Sequence, residues 1–130
     1  MKKTILILML LAAASLGFAQ ETNRHQFSSS PESSRFQIVQ SELGARLTFN
    51  IDKYTGMVFL LVEGRDGLTW QLIEAEEQTS DETISNQVNY QLFTSGLGVR
   101  MTFLINVNTG ITWQLAEDMK SGEYFWDAME

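Results

Sequence analysis

The sequence predicts an all-β protein: two four-stranded antiparallel meander repeats, packed as a sandwich or closed as a flattened barrel. Three observations lead there. The stretch FNIDKYTGMVFLLV, Phe49 to Val62, returns in altered form as FLINVNTGITWQLA, Phe103 to Ala116. Within each copy, apolar and polar residues alternate with a period of two, as half-buried strands do. Glycine, aspartate and asparagine punctuate the intervals, and these are the residues of tight turns.

The elements can be justified in chain order. Lys2 and Lys3 form a positive start, Ile5 to Leu16 is an apolar run, and Gly17-Phe18-Ala19 puts small residues at positions −3 and −1. This reads as a signal peptide over residues 1–19, cleaved after Ala19. A retained anchor is the alternative, but the run is well short of the roughly 20 residues that a bilayer span needs. No cysteine follows the run, so lipid anchoring of a lipoprotein is excluded. The expectation is an exported bacterial protein, periplasmic or secreted, with no membrane span in the mature chain. Removing 19 of 130 residues leaves 111, which is one domain. With no cysteine in the chain, the domain must hold together by packing alone.

Gln20 to Ser34, QETNRHQFSSSPESS, is polar, aperiodic and holds the only proline, so it reads as a disordered leader. From Arg35 onward the chain is rich in β-branched and aromatic residues. Offsetting it by 54 positions pairs Gln37 with Gln91, Leu43-Gly44 with Leu97-Gly98, and Arg46 with Arg100. Thr48-Phe49 then meets Thr102-Phe103, Ile51 meets Ile105, Thr55-Gly56 meets Thr109-Gly110, Leu61 meets Leu115 and Glu63 meets Glu117. Two further residues enter before Trp70 finds Trp126. A single domain over 35–130 therefore contains two repeats, 35–74 and 89–130, each the size of one supersecondary unit. The acidic segment between them, 75–88, reads as a solvated linker. It lacks the D-x-[DN]-x-[DN]-G order of a calcium loop.

The expected strands are Phe36–Gln40, Ala45–Ile51, Met57–Val62 and Thr69–Ile73, then Tyr90–Thr94, Val99–Ile105, Ile111–Ala116 and Tyr124–Met129. Leu47, Phe49 and Ile51 share one face in the first copy. Met101, Phe103 and Ile105 share one in the second, so Phe49 and Phe103 are both expected in the core. The repeated motif is the turn between the second and third strands of each meander. Asp52 and Asn106 can accept backbone N–H bonds there, and Gly56 and Gly110 can take the left-handed conformation that lets the ladder resume. These four residues are assigned structural roles.

The pattern R-[FY]-Q-I…R-L-T-F-x-I-D-K-x-T-G-x-V-x-x-L…G-x-x-W resembles that of uncharacterised small exported bacterial proteins with repeated LDTxTGxxWxL β-hairpin motifs. The likeness spans nearly all of Arg35 to Glu130. It departs at Phe59, where tryptophan is usual, and at Asn106, where aspartate is usual. It implies a hairpin repeat and no particular activity.

Composition narrows the function classes. Loss of Lys2 and Lys3 takes the formal net charge from −7 to −9, which opposes binding to nucleic acid or to an anionic membrane surface. His25, the only histidine, lies in the leader, and so do Ser28, Ser29 and Ser30. No phosphate-binding glycine pattern occurs. Asp52 is accounted for by its turn and Asp66 by the loop Gly64-Arg65-Asp66-Gly67, so a carboxylate pair for glycoside hydrolysis is not favoured. No catalytic residue, cofactor or metal site is expected.

The binding candidates are Arg46, Arg100, Tyr54 and Tyr124. The arginines either pair with Glu63 and Glu117 across strands or form a symmetric site for an anionic group. The tyrosines stand in or near loops. Trp113 and Phe59 are expected in the core, with Trp70 and Trp126 closing each meander, in preference to a sugar-stacking platform. The expected function is a non-catalytic binding module for a protein or glycan. A structural protein forming a homo-oligomer through sheet edges is the alternative, and a hydrolase the least favoured.

Overall fold

A computed structural model describes residues 26–28, 30–41, 43, 46–76 and 81–129. The predicted signal peptide and residues 20–25 lie outside these. The described residues form β1 (Gln26–Ser28), β2 (Phe36–Ser41), β3 (Thr48–Asp52), β4 (Met57–Gly64), β5 (Gly67–Leu72), β6 (Glu74–Ala75), β7 (Tyr90–Thr94), β8 (Thr102–Asn106), β9 (Thr112–Glu117) and β10 (Tyr124–Ala128). The first sheet runs β1-β2-β3-β4-β5 and is antiparallel throughout. The second runs β6-β10-β9-β8-β7, antiparallel except that β6 lies parallel to β10. Each sheet thus contains one predicted four-stranded meander, and the two stack as an open sandwich rather than a closed barrel. One core lies between them, with Val39, Phe49, Ile51, Val58 and Leu60 from the first sheet against Tyr90, Leu92, Leu104, Trp113, Leu115 and Trp126 from the second.

The repeat is visible in the backbone. β2, β3 and β4 recur 54 positions on as β7, β8 and β9. Isolated bonds recur too. Lys53 N–H donates to Arg35 O as Val107 N–H donates to Asn89 O, each at 2.8 Å. Ile73 N–H donates to Val58 O as Met129 N–H donates to Thr112 O, each at 2.9 Å.

Four expectations are corrected. The disordered leader does not hold over 26–34: Gln26–Ser28 pairs with β2, and Lys53 Nζ donates to the Glu32 carbonyl. The linker is not simply solvated. Its first residue, Ala75, joins the second sheet in β6, and Asp81 bonds Tyr90 and Thr109. The strand expected from Val99 begins at Thr102, because Val99–Met101 forms a 3-10 turn closed by Met101 N–H on Gly98 O at 3.0 Å.

The fourth correction is the most consequential. Phe49 is wholly buried, whereas its counterpart Phe103 is only half-buried. The second copy buries Thr102, Leu104 and Asn106 instead, so it turns the opposite face to the core. The inversion holds for every matched strand. Val39, Phe49, Ile51, Val58 and Leu60 point inward, and their counterparts Phe93, Phe103, Ile105, Thr112 and Gln114 point outward. Conversely Phe36 is 56% exposed where Tyr90 is 6%, and Trp70 is 39% exposed where Trp126 is 3%. Phe59 likewise faces outward, half-buried, while Trp113 is core. The physical reason is that both faces of each copy are apolar, so the alternation alone cannot select one. Unlike faces meet, and the copies are therefore stacked in the same sense. A two-fold relation would have brought like faces together.

Candidate functional site

Two features stand out on this frame: a polar cluster where the repeated turns meet, and the outer face of the first sheet. The turns follow from their residues. Gly56 and Gly110 hold φ of 78° and 80°, and their N–H groups donate to Asp52 O and Asn106 O at 2.8 Å. Asp52 Oδ1 accepts from Tyr54 N–H at 3.0 Å, and Asn106 Oδ1 accepts from Asn108 N–H at 2.9 Å. The predicted structural roles of Asp52, Gly56, Asn106 and Gly110 are those seen.

The surroundings of the two turns differ. Arg35 clamps Asp52 with two bonds, Nε to Oδ1 at 3.0 Å and Nη2 to Oδ2 at 2.7 Å. Its guanidinium also lies over the rings of Phe36 and Tyr54, at 4.9 and 5.2 Å. The Arg35 bond holds the Asp52 carboxyl below its usual range, against the opposing effect of burial and with help from Tyr54 N–H. Beside it, burial lowers the Lys53 ammonium. In the second copy, Asn89 and Asn106 replace this charged pair and are fully buried. Asn89 Nδ2 donates to Tyr54 O at 2.9 Å and Ile84 O at 2.8 Å, and its Oδ1 accepts from Asn108 Nδ2 at 2.7 Å. Asn106 Nδ2 donates to Glu82 O at 2.9 Å. One buried side chain thereby ties both turns and the linker together. Tyr90 completes the joint. Its ring occupies the place that a Cβ on Gly56 would need, 2.9 Å away, and its hydroxyl donates to Asp81 at 2.8 Å. Burial first, and then Asp81, push the Tyr90 hydroxyl up to about 12. The polar groups of this cluster bond one another and the backbone, so its chemistry is that of a structural joint.

The outer face of the first sheet is different. The strand register places Phe36 and Ile38 of β2, Met57, Phe59 and Leu61 of β4, and Leu68, Trp70 and Leu72 of β5 on one side. Six of these eight are exposed and the other two half-buried. Contiguous exposed apolar surface on a folded chain marks a contact site. Sequence reasoning missed it by assigning Phe59 to the core. The available signal was the unbroken run Met57-Val58-Phe59-Leu60-Leu61-Val62, which is apolar on both faces of one strand.

The sequence-derived candidates do not converge. Arg46 and Arg100 are exposed in the segments leading into β3 and β8, and among the described residues neither makes an ion pair. With matched positions facing opposite ways, the repeat no longer argues for one symmetric anion site. Tyr54 is held in the first turn under Arg35. Tyr124 lines a cavity of about 90 Å³ with Leu60, Val62, Leu72 and Ile73, and burial, then Glu117, raises its hydroxyl. Among the described residues there is no cluster of three or more potential metal-ligating side chains.

No protein-family model, curated protein or solved structure matches the chain.

Proposed function

We propose that this chain is an exported, non-catalytic binding module whose contact surface, for a protein partner, is the outer face of the first sheet. The observation that carries the reading is that face itself, where Phe36, Ile38, Met57, Leu68, Trp70 and Leu72 stand exposed on one side of four hydrogen-bonded strands. Of the matched positions in the second copy, Tyr90, Leu92 and Trp126 are buried and Ile111, Tyr124 and Ala128 pack partly buried against the core, so these residues have the chemistry of a packing surface. Glycan recognition needs polar groups set around aromatic faces. Here aliphatic Ile38, Leu68 and Leu72 flank Trp70, which favours a protein partner.

Hydroxyl-radical footprinting of Met57 and Trp70 tests the reading. Both should be oxidised in dilute purified chain and protected in envelope or medium fractions of the source cells. Equal oxidation in both settings would refute it.

A further inference from the structure

Resting on the outer face of the first sheet as the contact surface, we infer that its partner is a second copy of this chain, packed head to tail. Each repeat carries two faces. The first copy buries the face of Val39, Phe49, Ile51, Val58 and Leu60, and the second copy buries the face of Tyr90, Leu92, Trp113, Leu115 and Trp126. The internal joint is therefore first-copy inner face against the opposite face of the second copy. The other member of each pair faces outward, with Phe36, Ile38, Trp70 and Phe93 exposed and the rest partly buried. On the first sheet these are Phe36, Ile38, Phe59, Leu61 and Trp70, counterparts of Tyr90, Leu92, Trp113, Leu115 and Trp126. On the second sheet they are Phe93, Phe103, Ile105, Thr112 and Gln114, counterparts of the first copy's core residues.

The two free faces are thus the two halves of the joint that already exists inside the molecule. The outer face of the first sheet in one molecule fits the outer face of the second sheet in the next, with aromatic and aliphatic residues at matching places. Phe93 and Phe103, stacked with ring centroids 6.4 Å apart, supply the aromatic part of the receiving face. The joint is heterologous and does not close on itself, so it extends into short open stacks. Three positions weaken it relative to the internal joint: Thr112 stands where the first copy has Val58, Gln114 where it has Leu60, and Asn50 on the first sheet where the second copy has Leu104. The formal net charge, −7 for the full chain and −9 without Lys2 and Lys3, adds repulsion between copies, which salt screens. The association is consequently reversible and strengthened by salt.

Sedimentation of the purified chain, with Ile38→Lys and Phe93→Lys, tests this. Both side chains are exposed, so both variants should keep the wild-type circular dichroism; Met57→Lys and Phe103→Lys form a second pair if either does not. Wild type should form a concentration-dependent ladder beyond the dimer. Each variant alone should stay monomeric, with association weakened at least tenfold. An equimolar mixture should form a heterodimer through the two intact faces and stop there. Three results would overturn the inference. One is dimerisation of Phe93→Lys as in wild type, which means first sheets pair with each other. Another is a ladder from both variants, which means edges pair instead. The third is a wild type that stays monomeric at all concentrations. If it does so while Met57 and Trp70 are protected in cell fractions, the contact surface stands and the partner is another molecule.

Discussion

Replacing Phe49 and Phe103 separately by alanine probes the inversion of the second copy. The two residues hold the same place in the repeat, but their environments differ. Phe49 is 0% exposed, between Val39 of β2 and Leu60 of β4. A buried phenylalanine removes roughly 150–250 Å² from water, and truncation to alanine adds a cavity term, for a cost of about 3–5 kcal/mol. Phe103 is half-buried on the outer face, stacked on Phe93. Part of that ring is already in water, so less of the transfer term is lost there, and water fills the gap, for a cost of about 1–2 kcal/mol. The difference, about 2–3 kcal/mol, is a large share of a domain stability of roughly 5–15 kcal/mol. Urea unfolding in dilute protein, below any self-association, measures it as a shift in midpoint at constant slope. Equal costs, within about 0.5 kcal/mol, would refute the inversion.

Three further outcomes follow from the turns. Gly56→Ala should destabilise more than Gly110→Ala by thermal unfolding. Both hold positive φ, worth roughly 1–2 kcal/mol, but only at Gly56 does the Tyr90 ring occupy the Cβ site. Asp52→Asn should keep the turn yet lose the ionic clamp. The folded carboxyl lies below its usual range, so its contribution is present above about pH 4 and lost as pH falls through the folded value. The acid limb of the stability–pH curve should therefore flatten in Asp52→Asn, and an unchanged limb would exclude the clamp. Tyr90, raised to about 12, gives the opposite sign. Its contribution is present below about pH 10 and is lost between there and about pH 12. Tyr90→Phe should remove that part of the alkaline limb, and a limb identical to wild type would contradict the assigned burial.

Much of the strand order was legible because alternation and turn chemistry are local. Asp52, Gly56, Asn106 and Gly110 do what their residue types predict, since the backbone demands it wherever the turn sits. The inversion was not legible. Phe36, Ile38, Phe59 and Leu61 are as apolar as Val39, Phe49, Val58 and Leu60, and only the arrival of the second sheet decides which set is buried. The same choice hid the candidate contact face. Asparagine caps the second turn at position 106, but the first turn depends on the charge of Asp52. Arg35 reaches that carboxylate from 17 residues away, and its counterpart Asn89 carries no charge. The β2–β3 register, with Phe36 opposite Asp52, would have suggested the clamp. The docking of the linker had no local signal at all, since Asp81 is fixed by Tyr90 and by Thr109, 28 residues away.

The stacking of unlike faces is tested most directly by two single-tryptophan proteins. One keeps Trp70 and the other keeps Trp126, with the remaining tryptophans changed to phenylalanine. The two indoles are matched in the repeat, opposite Leu61 and Leu115 respectively. In dilute protein, Trp70 should emit at longer wavelength and be quenched readily by acrylamide, while Trp126 should emit at shorter wavelength and resist. Indistinguishable emission and quenching from the two sites would contradict the account.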